Sequence, residues 1–176
     1  MSSTMNFDAR RSPEVTADDV LDQLGVDELG GLPLPVDPVA LARWLGAEVF
    51  TMDLEDDVSA MLVGEAGRPP TIYLNARETS ERRRFSCAHE IGHLLRRRTS
   101  GVTDFGFVDR RNHLSETGTD REERWANRFA AALLMPTVFL RGVPPEQRRH
   151  PERLAPVFGV SPTAMRIRLE NLGLPR

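Results

Sequence analysis

The segment His89-Glu90-Ile91-Gly92-His93 sets two imidazoles four residues apart, with a carboxylate directly after the first. On a helix, residues four apart lie one turn above each other on the same face. Two imidazoles so placed can reach a single ion, at about 2.0–2.1 Å from each nitrogen. Glu90 is rotated by about 100° from His89 at 3.6 residues per turn, too far round to be an equal ligand. It can still reach a water at the ion, which is where a general base belongs while zinc lowers the pKa of that water. The chain must therefore build a helix here and bring a further ligand to it from elsewhere.

The surroundings agree with a helix. Ser80-Glu81 marks a start, and Phe85, Ala88, Ile91, Leu94 and Leu95 supply the apolar positions. Gly92 inside a helix costs about 1 kcal/mol relative to alanine, which close packing beside the ion explains. A third histidine in the metzincin pattern needs Gly at 96 and His at 99, and the chain has Arg96 and Thr99. The alternative is a glutamate on a following helix in an E-x-x-x-[DN] arrangement, and Glu123-Arg124-Trp125-Ala126-Asn127 supplies it. Glu123 is the expected ligand, and Asn127, one turn on, is placed to orient a ligating imidazole. Glu122 competes, but Thr119-Asp120-Arg121-Glu122 reads as a capping box that folds Glu122 back onto the helix start. Glu123 and Asn127 also share the apolar side of that helix with Ala130 and Leu134. His113 and His150 fall in loop or cap positions.

At 176 residues, 40% apolar and 28% charged, the chain fits one globular domain with a hydrophobic core. No apolar run approaches the roughly 18 residues of a membrane span, and the polar start, with Arg10 and Arg11, lacks the stretch of a signal peptide. Cys87 is the lone cysteine, so no intrachain disulfide forms, and the expected compartment is the cytoplasm. A net charge of −3 gives no general argument for nucleic acid or anionic membrane. All 23 basic residues are arginine.

Along the chain, residues 1–14 read as a disordered lead. Thr16 is a candidate cap for a short helix through Val20, Leu21 and Leu24, and Asp37-Pro38 starts a second, carrying Leu41, Trp44 and Leu45. Strand-like runs at 48–54, 60–63 and 71–75 suggest a small, largely antiparallel sheet. A long helix over about 80–98 follows, then a polar stretch, 99–118, that would wall or cover a cleft. A second long helix spans about 120–135, and two short ones span 151–158 and 162–172. The expected division is a metallopeptidase domain over 15–140 and a helical extension over 141–176 packed on it.

The runs Arg84-Phe85-Ser86-Cys87-Ala88-His89-Glu90-Ile91-Gly92-His93-Leu94-Leu95 and Glu123-Arg124-Trp125-Ala126-Asn127-Arg128-Phe129-Ala130-Ala131-Ala132-Leu133-Leu134-Met135-Pro136 resemble the ImmA/IrrE family of bacterial metallopeptidases. Pro35-Val36-Asp37, Ile72-Tyr73-Leu74-Asn75 and Phe158-Gly159-Val160-Ser161 are similar too, so the resemblance extends over most of the chain. It implies a small zincin of the α+β class: a short antiparallel sheet, two metal-bearing helices and a C-terminal helical hairpin. It also implies Zn2+ held by His89, His93 and Glu123 with Glu90 as base, and a helix-turn-helix repressor as protein substrate, cleaved to derepress stress or mobile-element genes. Trp125 departs from the family, many of whose members carry a second acidic residue there.

Three features carry two readings. Tyr73, on the strand before the metal helix, would either hydrogen-bond the oxyanion of a tetrahedral intermediate or pack as an ordinary strand residue. Its strand, if at a sheet edge, would pair with an extended substrate. Cys87 lies two residues from His89, and residues two apart on a helix do not face each other, so it reads as a small buried residue and not a nucleophile. The tail from Leu154 to Leu169 has the cadence of a helix-turn-helix with Arg166 and Arg168 on its second helix. It is either a DNA-reading unit or a hairpin burying Met165, Leu169 and Leu172 on the core. The alternative functions are accordingly a zinc-containing DNA-binding regulator and a catalytically idle protein that sequesters a partner.

Overall fold

The computed structural model describes residues 8–24, 34–110 and 121–174. Among them are eight helices and a four-stranded sheet, an α+β arrangement. The helices are α1 (Pro13–Gln23), α2 (Pro38–Trp44), α3 (Ser80–Ser100), α4 (Arg121–Leu134), α5 (Thr137–Gly142), α6 (Pro145–Arg148), α7 (Pro151–Phe158) and α8 (Pro162–Asn171). The strands are β1 (Glu48–Met52), β2 (Val58–Gly64), β3 (Thr71–Asn75) and β4 (Phe105–Arg110).

Helix α3 is the axis of the molecule. Thr79 caps its start by accepting from the Arg82 N–H at 3.3 Å, and Glu81 lies in its first turn. Arg97 and Arg98 lie in its last turn, and Gly101, at φ 72°, closes it. The sheet packs on it through β2 and β3, and α4 packs along another side, with α1 behind α4. A helix enclosed in this way is buried on all faces, and every residue from Ser86 to Leu95 is indeed buried. The core runs from Leu62, Ile72 and Leu74 of the sheet, through Ile91 and Leu94, to Phe129 and Leu133 of α4.

The strand order is β1-β3-β2-β4, and the sheet is mixed. β2 is antiparallel to both β3 and β4, but β1 runs parallel to β3, with Val49 opposite Ile72 and Thr51 opposite Leu74. The largely antiparallel expectation holds for two of the three pairings, and the third follows from a connection that steps over β3. The Asn75 side chain, wholly buried, ties that connection down: its amide donates to the carbonyls of Val58 at 2.7 Å and Glu55 at 3.3 Å. Because β3 is central, it is not the edge strand that could pair with a substrate; the edges are β1 and β4. β4 arises from the stretch expected to be a polar connector.

The N-terminal helix begins earlier than Thr16 suggests. Ser12 is its cap and Pro13 its first residue, while the Thr16 hydroxyl donates to the Ser12 carbonyl at 3.0 Å. Within residues 8–14, expected in a disordered lead, Ala9 and Pro13 are buried, and the Trp125 indole donates to the Arg11 carbonyl at 3.1 Å. Residues 1–7 lie outside the described residues. Trp44, expected on the apolar face of α2, is 36% exposed. The tail packs on the body, with Leu154, Phe158, Met165 and Leu169 all in the core. Arg84 of α3 ties it there, donating to the Gly159 carbonyl at 3.0 Å and to the Val36 carbonyl. No described helix is long and apolar enough to cross a membrane.

Candidate metal centre

Three buried polar side chains, His89, Glu90 and His93, stand on the most enclosed part of α3. Burying polar groups is costly without partners, and α4 supplies them for the two imidazoles. Gly92 allows the approach: a Cβ there would lie 3.2 Å from Phe129 Cδ1 and 3.3 Å from Ala126 Cα. With no side chain between the helices, the first turn of α4 reaches both imidazoles.

The result is a small triangle. His89 Nε2 lies 3.0 Å from His93 Nε2 and 3.3 Å from Glu123 Oε2, and His93 Nε2 lies 3.2 Å from Glu123 Oε1. A four-coordinate ion with bonds of about 2.0–2.2 Å spaces its ligand atoms roughly 3.3–3.6 Å apart. The three separations lie at or a few tenths of an ångström inside that spacing, and His89, His93 and Glu123 are a group that could hold a metal. Asn127 Oδ1 lies 2.9 Å from His89 Nδ1. With the proton on Nδ1, that bond fixes the ring and leaves Nε2 as the donor toward the triangle.

The electrostatics favour positive charge at the centre. Burial works to lower the His93 pKa, but the carboxylates of Glu122 and Glu123, with Glu90 adding its charge, outweigh it and raise the value to about 9. The hydrogen bonds of His89 and then His93 hold the Glu123 carboxyl well below its usual range. A proton is one way to satisfy this donor set, and a divalent cation is another.

Glu122 and Glu123 separate cleanly. Both Glu122 oxygens accept from Arg97 Nη2, at 2.9 and 3.1 Å, and Glu122 Oε1 lies 3.6 Å from His93 Nδ1, the nitrogen facing away from the triangle. Glu122 thus steadies the outer side of His93 as Asn127 steadies His89. Arg97, one turn after His93, holds it in place; this contact was not anticipated from the sequence, although the i, i+4 spacing from His93 was there to be read. The first two residues of the capping box, Thr119 and Asp120, lie outside the described residues, as does His113.

Other candidates are placed elsewhere. Tyr73 is not brought to the triangle. Strand alternation sends Ile72 and Leu74 into the core and Tyr73 to the opposite face, where its ring stacks on Phe50 at 6.0 Å. Of its two readings, strand packing is the one this contact supports. Cys87 is fully buried, and desolvation pushes its thiol far above the ordinary range, so it is no nucleophile. Trp125 turns away from the imidazoles: it stacks on Phe129 at 5.5 Å and lies under the Arg96 guanidinium at 5.3 Å. In the tail, Arg166 pairs with Glu170 at 3.3 Å, and Arg168 is only 5% exposed.

Comparison with known proteins agrees with this geometry. The family model Peptidase_M78, described as the IrrE N-terminal-like domain, matches residues 42–170. No curated protein matches the chain. Among solved structures, a Mycobacterium tuberculosis transcriptional regulator has a similar fold, with a TM-score of 0.62 at 17% identity. The match covers 93% of this chain and 48% of that one, so the chain spans about half the length of that regulator.

Proposed function

Because the chain belongs to the IrrE N-terminal-like domain family of peptidases, we propose that it is a zinc-dependent endopeptidase, with His89, His93 and Glu123 holding the metal and Glu90 as general base. The observation that carries this reading is the triangle of His89 Nε2, His93 Nε2 and the Glu123 carboxylate, with sides of 3.0, 3.2 and 3.3 Å. Two imidazoles and a carboxylate are a donor set that suits zinc in a peptidase.

Zinc, when bound, supplies Lewis acidity toward the scissile carbonyl and lowers the pKa of water. Glu90 takes the proton of the attacking water and delivers it to the nitrogen of the departing amine. Asn127 and Glu122 hold the two imidazoles from their outer nitrogens, so neither ring has to reorient during a turnover. The enclosed helix keeps bulk water from the base, which directs its proton to the leaving group.

The substrate class we propose is a helix-turn-helix repressor-type regulator in the cytoplasm, cut to derepress stress or mobile-element genes. The structure of similar fold is a transcriptional regulator, which supports a regulatory setting for this domain. The same observation favours a second reading, a zinc-containing regulator that binds DNA or sequesters a partner with little peptidase activity. Its DNA form is weakened by the tail, where one of the two arginines available for phosphate or base contacts is buried.

The test is incubation of the purified protein with a helix-turn-helix repressor encoded beside it, with and without chelator. Cleavage that stops with chelator is the expected result. Glu90→Gln should keep bound zinc and abolish cleavage, and turnover retained in that variant rules out the assigned base. His89→Ala should lose the metal, and unchanged stoichiometry by elemental analysis sinks the ligand assignment.

A further inference from the structure

Behind Asn127, away from the triangle, a cavity of about 640 Å³ opens between α3, α4 and α8. That volume lies within the roughly 300–1,000 Å³ of small-molecule sites. Its walls are mainly apolar, with Phe85 from α3, Ala131 from α4, Met135, and Val160 and Ile167 from the tail. Two cations set into these walls have no carboxylate within ion-pair distance among the described residues. Arg168 is 5% exposed; its Nε donates to the Met135 carbonyl and one Nη2 hydrogen to the Thr137 hydroxyl, both at 3.2 Å. Glu14 and Asp18 act on it only from beyond 4 Å, and its Nη1 makes no hydrogen bond among the described residues.

Arg82 is half-buried. It donates only to the Ser59 hydroxyl, at 3.3 Å, and its Nε is buried without a partner. Arg128, a third lining cation, is already paired with Glu14 at 2.8 Å. The one carboxylate on the wall, Glu81, is committed to the start of α3 through its own backbone, Thr79 and Ser80. A buried guanidinium without a close counter-ion is an expensive arrangement, and here Arg168 shares one apolar space with the half-buried Arg82.

We propose that this cavity binds a small amphipathic anion, with a carboxylate held by Arg168 and Arg82 and an apolar body lying along Phe85, Ala131, Met135 and Val160. A planar guanidinium matches a carboxylate by two parallel hydrogen bonds, and the apolar walls exclude a bare inorganic anion as the better fit. One wall is Asn127, the residue that orients His89, so an occupied cavity touches the support of the metal centre.

The test uses the full chain loaded with zinc and calorimetric titration with decanoate, decanol and inorganic phosphate. Decanoate should bind, and decanol and phosphate should each bind at least about tenfold more weakly, since each lacks half of the recognised chemistry. Arg82→Gln and Ile167→Glu, the latter at the 45% exposed rim, should each weaken decanoate at least about tenfold while leaving zinc content unchanged. An apolar dipeptide with a free C-terminus offers the same head, and whether it or decanoate binds more tightly names the source of the carboxylate. Failure of decanoate to bind, equal binding of decanol, or unchanged affinity in both variants overturns the proposal. None of these readouts depends on peptidase activity.

Discussion

Substituting Gly92 by alanine tests the idea that the metal centre depends on how closely α3 approaches α4. In a solvent-exposed helix the change would stabilise the protein by about 1 kcal/mol, because alanine is the better helix former. Here the added Cβ meets Phe129 Cδ1 at 3.2 Å, Ala126 Cα at 3.3 Å and Ala126 Cβ at 3.4 Å. Carbon atoms prefer separations of about 3.5–4.0 Å, so the deficit is a few tenths of an ångström against three atoms at once. None can swing aside, since Ala126 is backbone and a methyl group and the Phe129 ring is fully buried. Overpacking of this kind costs about 1–3 kcal/mol. Set against the helix gain, the net loss is about 0–2 kcal/mol, or up to roughly 8 °C in melting temperature for a chain of this size. The sharper effect is on the proposed ligands, because His89 and His93 ride on α3 and Glu123 on α4. Metal sites tolerate errors of about 0.2 Å in ligand distance, so zinc affinity should fall about tenfold or more. Thermal unfolding of the metal-free protein and a competitive chelator titration measure the two effects separately. A variant with a higher melting temperature and wild-type zinc affinity would refute the close-packing argument.

Asn127→Ala should lower zinc affinity by about 10–100-fold without removing a ligand, and Asn127→Asp should restore most of it, since the acceptor opposite His89 Nδ1 returns; chelator competition on both variants distinguishes them. The metal-free protein should be most stable near pH 4.5–6.5 as far as this cluster is concerned. His93, raised from 6.5 to about 9, contributes stability that is complete below about 6.5 and lost as pH rises through about 9. Glu123, held low, contributes stability present above about 4.5 and lost as pH falls. Denaturant midpoints across pH 4–10 check both signs, and a midpoint that does not fall between pH 6.5 and 9 contradicts the first. Truncation before residue 150 should expose the apolar partners of Leu154, Phe158 and Met165 and destabilise the body, read as an earlier and broader melting transition. A truncated protein that melts like the full chain while losing DNA binding in a gel shift would favour the DNA-binding reading instead.

Much of the centre was legible because local rules govern it. A helix fixes the direction of residues four apart, so the sequence alone places His89 above His93 and Glu123 above Asn127, and the Asp37-Pro38 and Ser161-Pro162 starts follow from capping chemistry. The family match rests on the same local strings. What the sequence did not determine is which side chains meet across elements. Tyr73 looked close to the metal because its strand precedes the metal helix, yet strand alternation turns its ring to the far side of the sheet. The parallel β1–β3 pair depends on a loop stepping over a strand and on Asn75 satisfying that loop's carbonyls. Arg168 looked like a DNA contact until tertiary packing buried it against the end of α4. The His-Glu-His spacing of the opening motif thus placed the two proposed ligands and the proposed base by helical periodicity. Only the tertiary structure decided which glutamate meets the imidazoles: the Gly92 contact brings α4 close enough for Glu123 to face the inner nitrogens while Glu122 faces outward to Arg97.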